Sequence, residues 1–191
     1  MNKVTVIAAT LIASTLLLVL FVYSGAYDVG ADRPHTAPMQ ALLTVLRERS
    51  IERRAAGIQV PALDDPKRLH EGAEHYSAMC VDCHLAPGIT VSEIRAGLLP
   101  HPPNLSQQSI DPREAFWAIK HGIKATGMPA WGQTHDDAEI WNIVSFVHQL
   151  PHMTPDEYRA MTASGSADEH EGDQMQREHE HVHAHERTAD K

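Results

Sequence analysis

The chain opens on unbroken apolarity: Val4 to Tyr23 runs twenty residues without a charge. At about 1.5 Å per helical residue, such a run matches the ~30 Å hydrocarbon core of a bilayer. It predicts a membrane-spanning helix. Its length favours a retained anchor over a cleaved signal peptide, whose apolar region is usually about 7–15 residues. Ser24 and Ala26 nonetheless supply small residues where cleavage would need them. A polar linker containing Pro34 and Pro38 follows. Met39, Leu42, Leu43 and Leu46 then recur at helical spacing, with Thr36 as a cap, Gly57 as a stop and arginines expected on the opposite face. Such a helix suits a lipid surface, packing on the main domain, or a solvated spacer.

Further along, a helix from Pro66 is expected to run into Cys80, followed by a loop rich in turn residues (Pro87, Gly88, Gly97, Pro100, Pro102, Pro103). The next helix opens at Asp111–Pro112 with Glu114 behind, read as a capping box with proline at its first position, and ends at Gly122. A second loop carries Met128. The last helix begins near Thr134 or Asp136, holds Ile140, Trp141, Ile143, Val144, Phe146 and Val147, and stops at Pro151. No segment alternates as a strand does, so the expected class is all-α. Residues 152–191 hold ten acids, four bases and six histidines with few bulky apolar groups, and are expected to be disordered. The organisation is therefore an anchor (1–26), a linker with an amphipathic helix (27–65), a compact domain (66–151) and an acidic, histidine-rich tail (152–191).

Charge and composition narrow the chemistry. A formal net charge of -9 argues against a nucleic-acid partner, whose run of phosphates calls for an extended Lys/Arg face. Aromatics make up 5% of 191 residues, so a large apolar core is not expected. The chain has two cysteines, Cys80 and Cys83, and a disulfide across so short a spacing would staple almost nothing. Their use is chemical. Cys80-Val81-Asp82-Cys83-His84 is a C-x-x-C-H string, the attachment motif of c-type haem. One helical turn sets the two thiols at the separation of two haem vinyl groups and leaves His84 where its imidazole can ligate iron. A redox dithiol of the thioredoxin kind would need a strand before the motif, and a structural zinc site would need further ligand cysteines. The motif implies one covalent haem c.

A sixth iron ligand is then required. Met128 lies in Gly127-Met128-Pro129, a stiffened loop between the last two helices, and a thioether there would stabilise ferrous iron. Methionine as core filler is the plainer alternative. His121 and His135 flank the loop as further candidate ligands.

Residues 66–151 resemble the class I cytochrome c domain. Beyond C-x-x-C-H, Gly72 and Tyr76 stand at the small and aromatic positions of that family's first helix, and Ile143 and Phe146 at the apolar pair of its last. Pro103-Asn104-Leu105 is similar to the family's proline-x-leucine segment. The resemblance implies that the Pro103 carbonyl accepts the His84 Nδ1–H and fixes its tautomer, and that Leu105 packs on the haem face. The whole chain, with Tyr27 to His35 as linker, also resembles membrane-anchored monohaem cytochromes of Gram-negative bacteria; the long tail departs from that pattern.

The resemblance implies one-electron transfer rather than catalysis, with a quinol-oxidising complex, a terminal oxidase or a periplasmic dehydrogenase as redox partner. A ligand-binding sensor, a haem peroxidase and a metal-handling protein are the alternatives. Loop charges leave the topology open, since Lys3 and the arginines beyond residue 46 point in opposite directions. Thioether formation, which takes place outside the cytoplasmic membrane in bacteria of this resemblance, places the domain in the periplasm. In the tail, His179, His181, His183 and His185 form an imidazole cluster of the kind that binds copper, nickel or zinc, set against the plainer reading of a solvated tail.

Overall fold

The computed structural model describes residues 2–163. In chain order they form α1 (Lys3–Tyr23), α2 (Ala37–Ala55), α3 (Pro66–Met79), α4 (Val81–His84), α5 (Glu93–Ala96), α6 (Pro112–His121), α7 (Asp137–Gln149) and α8 (Pro155–Thr162). Short 3-10 turns occupy Trp131–Gln133 and Leu150–His152. No strand occurs among the described residues, so the expected all-α class holds. The histidine cluster of the tail lies outside the described residues.

The described residues divide into two compact units, with the break between Arg33 and Pro34. The first is α1 and the start of the linker. The helix begins where Asn2 Oδ1 accepts from the Thr5 backbone N–H at 2.8 Å. Within it, the Thr10 and Thr15 hydroxyls donate to the Val6 and Leu11 carbonyls, so both are satisfied within the helix. None of its side chains is buried, and twenty-one residues are long and apolar enough to cross a membrane. The sequence expectation of an apolar N-terminal span therefore stands.

The second unit is organised by the crossing of α3 and α7. Gly72 makes the crossing close: a Cβ there would lie 2.0 Å from the Asn142 carbonyl oxygen and 2.9 Å from Phe146 Cβ. One turn on, the Tyr76 and Phe146 rings meet at 5.4 Å between centroids. Ile140, Ile143, Val144 and Phe146 are buried along α7, the periodic face predicted for it. Phe116 of α6 stacks on Trp141 at 4.3 Å, joining the third helix to the core. One polar group sits in this crossing. Asn142 accepts from Arg68 at 3.3 Å and donates to Glu71 at 2.6 Å, so its amide is paired where it is buried.

Helix starts follow their caps. Asp136 accepts from the Ala138 and Glu139 N–H groups, and Glu139 reaches back to Asp136 N, a capping box that chooses Asp136 over Thr134 as the start of α7. At α6 the expected box is replaced. Asp111 caps through the Arg113 N–H at 2.8 Å, and its carboxylate makes a two-bond pair with the Arg113 guanidinium (3.0 and 2.7 Å). That pair holds the Asp111 carboxyl down at about 2. Thr36 is the first residue before α2, but its side chain makes no capping bond.

The segment before residue 66 also packs on the domain: Ala55 is buried, α2 packs against α6, and Ile58 and Leu63 lie against the core. Two expectations are corrected. Structure does not stop at Pro151. Thr154 and Glu157 form a capping box that starts α8, and Tyr158 is buried with its ring 6.2 Å from Phe146. The composition of residues 152–191 averages over this turn and hides it. Met153, Tyr158 and Met161 suffice to dock one short helix, whose start also lies against Gly88. Finally, the arginines of α2 are not opposite its leucines. Arg49 and Arg53 continue the same row of three- and four-residue steps that begins with Met39, Leu42 and Leu46, while Thr44, Arg47, Ile51 and Ala55 form the less exposed side.

Candidate haem site

The C-x-x-C-H string straddles a helix junction. Cys80 caps the C-terminus of α3, its N–H bonded to the Tyr76 carbonyl at 2.9 Å. The single turn α4 then winds directly on it, with the Cys83 and His84 N–H groups both donating to the Cys80 carbonyl (3.1 and 2.9 Å). The spacing thus yields the expected one-turn arrangement. Both cysteines are free thiols. Burial pushes the Cys80 thiol up to about 12, aided by Cys83, and raises Cys83 as well, with Asp82 adding to the shift. Both therefore stay protonated as thiols.

His84 is held at both ends. Its ring Nδ1 lies 3.0 Å from the Pro103 carbonyl oxygen, and its own carbonyl accepts from the Leu105 N–H at 3.1 Å. A carbonyl can only accept, so Nδ1 carries the proton and the Nε2 lone pair is left for a metal. Burial lowers the His84 pKa; the Pro103 bond works against this and the nearby Arg95 charge adds to it. The imidazole is therefore neutral, as a ligand must be. Leu105 is buried in the core cluster beside this clamp. Pro103 and Leu105 are thus brought onto His84.

Two features of this site carry no signal in the sequence. The first is the Tyr76 hydroxyl, which donates to the Leu85 carbonyl at 2.6 Å and is buried; burial raises its pKa, so it remains a donor. Leu85 sits at φ 61, a left-handed conformation costly for a leucine, immediately after His84. Tyr76 therefore reaches from the helix crossing to the turn that carries His84. Tyr76→Phe leaves the packing intact but strands a buried carbonyl, at a cost of about 1–3 kcal/mol. Urea unfolding followed by the visible haem band should show that loss as a lower midpoint with an unchanged slope.

The second is Arg95 in α5. Ser92 caps this turn and donates to the Asp82 carbonyl, tying α5 to α4. Arg95 Nη2 donates to the Pro102 carbonyl at 3.0 Å, while its Nε is buried with no protein partner. An orphaned cationic donor beside the His84 clamp fits a group bearing carboxylates, as haem does. With free thiols, a clamped neutral imidazole and an unpaired guanidinium N–H, the residues present fit covalent haem.

Met128 is partly buried against the core. Its loop is folded by the main chain. Gly122 adopts φ +63, and a Cβ there would meet Ala130 N and the Met128 carbonyl at 2.8 Å. Ile123 N–H donates to the Met128 carbonyl at 3.3 Å, and Met128 N–H to the Thr126 hydroxyl at 3.1 Å. The flanking histidines have other neighbours. His121 lies exposed against Trp117 at 4.9 Å, and His135 meets His75 and Trp131 edge-on at 5.3 and 5.6 Å.

Helices crossing at a glycine, a one-turn C-x-x-C-H segment and a histidine clamped by a proline carbonyl define a class I cytochrome c domain. Residues 67–147 match the family of cytochrome C oxidase, cbb3-type, subunit III, and are a cbb3-type cytochrome c domain. Such a domain implies covalently bound c-type haem and haem-based electron transfer. No curated protein and no solved structure matches the chain.

Proposed function

We propose that this domain passes single electrons through one haem, attached by Cys80 and Cys83 and ligated by His84 and Met128, on the periplasmic face of the bacterial cytoplasmic membrane. The observation that carries the reading is the His84 Nδ1 to Pro103 contact of 3.0 Å, which prepares Nε2 as an iron ligand. The bound haem supplies a one-electron ferric/ferrous couple. The protein supplies the rest. Cys80 and Cys83 would hold the group beside α4, Pro103 fixes the ligand's tautomer, and Arg95 supplies a cationic donor beside this clamp. The Gly122–Pro129 loop presents a soft sulfur that favours the reduced state. Ligation by both His84 and Met128 would leave no site for substrate, which favours electron transfer over a sensor or peroxidase. The helix α1 tethers the domain and raises its local concentration near integral partners. A terminal oxidase, a quinol-oxidising complex or a periplasmic dehydrogenase fits as donor or acceptor. The periplasmic side follows from the chemistry of attachment, which in bacteria takes place outside the cytoplasmic membrane.

The test is an absorption spectrum of the membrane-extracted protein, oxidised and reduced, with and without carbon monoxide. A low-spin spectrum with the weak far-red band of sulfur-to-ferric-iron ligation, unmoved by carbon monoxide at neutral pH, is the expected result. A high-spin spectrum, or carbon monoxide binding to the reduced protein, would move the sensor or peroxidase reading to the front.

A further inference from the structure

The outward row of α2 is ordered along the helix axis. Met39, Leu42, Leu43 and Leu46 fill its first half and are 39%, 53%, 41% and 57% exposed. Arg49 and Arg53 continue the row in the second half, with Arg54 beside them. The stretch carries four arginines (47, 49, 53, 54) against Glu48 and Glu52, so it is locally basic in a chain whose net charge is -9. Arg49 pairs with Glu52 at 2.9 Å, an exposed pair that a stronger anion can displace, while Arg47, on the less exposed side, approaches Glu48 at 3.8 Å. The opposite side is already used, since Ala55 is buried and α2 packs on α6. Four large apolar side chains thus stay exposed to solvent on the side turned from α6.

We infer that this row of α2 seats on the anionic phospholipid surface of the membrane that α1 spans, its leucines in the acyl boundary and its arginines on headgroup phosphates. An interfacial helix needs an apolar face and basic groups that can reach phosphate, and α2 supplies both in one row. Tether length keeps it in range. Only residues 24–36 separate α1 from α2, and thirteen residues reach at most about 45 Å when fully extended. Charge selects the lipid. An acidic chain is repelled by an anionic surface unless a basic patch leads, and each arginine near such a surface contributes about a fivefold gain in partitioning. A protein groove would explain the leucines, but not the change from apolar to basic along one row.

The inference rests on the membrane-anchored reading, and the experiment separates the two. Full-length holoprotein is placed in lipid nanodiscs of phosphatidylethanolamine and phosphatidylglycerol. A photo-crosslinking benzoylphenylalanine replaces either Leu46 on the row or Glu48 on another side of the helix. The Leu46 probe should give phospholipid adducts and the Glu48 probe few. Arg49→Gln with Arg53→Gln should shift the engaged-to-free ratio by about 30-fold and remove the dependence on phosphatidylglycerol. Disc-bound protein that gives no lipid adduct at Leu46, or an adduct yield indifferent to the arginines, overturns the proposal while leaving the anchor standing. Protein adducts at Leu46 in native membranes also overturn it, in favour of a docking partner or a second copy. Protein that does not co-purify with the discs overturns the anchor and this inference together.

Discussion

Met128→Ala should abolish the far-red band of the ferric protein, convert its spectrum from low-spin to high-spin, and let the reduced protein bind carbon monoxide. The midpoint potential should fall on the order of 0.2 V, a fraction of the ~0.8 V over which axial ligands set haem potentials. The direction follows from softness: a thioether stabilises ferrous iron, and water or hydroxide in its place does not. The fold should survive, because what shapes the loop is main chain. Gly122 at φ +63, the Ile123 to Met128 carbonyl bond and the Met128 to Thr126 hydroxyl bond are all indifferent to the side chain at 128. Met153 and Met161 provide the control. Both lie against the core, so replacing either should change stability and leave the spectrum alone. A Met128→Ala protein with the wild-type spectrum would remove Met128 as ligand and send attention to His121 and His135.

Gly72→Ala should destabilise the domain although alanine is the better helix former. The helix propensity gain is about 1 kcal/mol. Against it, the new Cβ would sit 2.0 Å from the Asn142 carbonyl oxygen and 2.6 Å from its carbon, both main-chain atoms that cannot rotate away. The helices α3 and α7 must separate, and the Tyr76–Phe146 contact and the Asn142 bonds to Arg68 and Glu71 loosen with them. Overpacking of this kind costs about 3 kcal/mol. The net loss of about 2 kcal/mol should lower Tm by roughly 8–16 °C for a domain of this size. Gly57→Ala is the matched control, since a Cβ there meets nothing within 4 Å. Calorimetry showing Gly72→Ala at or above the wild-type Tm would mean the two helices are not in backbone contact.

Much of this was legible because the signals are local. A twenty-residue apolar run, a C-x-x-C-H turn and a proline opening a helix are each set by neighbours in the chain. Gly72, Tyr76, Ile143 and Phe146 were legible for another reason: they stand at the positions of the family's helix crossing that the chain resembles, and the close approach of Gly72 to Asn142 agrees with it. The contact between His84 and Pro103 was anticipated only through family resemblance, since nothing in their nineteen-residue separation favours it. The misreadings share a cause. The arginines of α2 were set opposite the leucines, whereas the three- and four-residue steps run from one into the other. α8 was lost in an acidic average, because three apolar residues count for little in composition and much in a docked turn.

By itself the sequence determined the helical class, the apolar span and the one-turn C-x-x-C-H arrangement of Cys80, Cys83 and His84, because spacing along a helix is enough to specify each. Tertiary structure decided the rest. Only the packed chain brings Tyr76 to the Leu85 carbonyl, leaves Arg95 Nε buried without a partner, seats Tyr158 against Phe146 and turns one row of α2 away from the domain. Each depends on residues distant in the chain or on what a neighbouring helix leaves uncovered, and neither is written in local spacing.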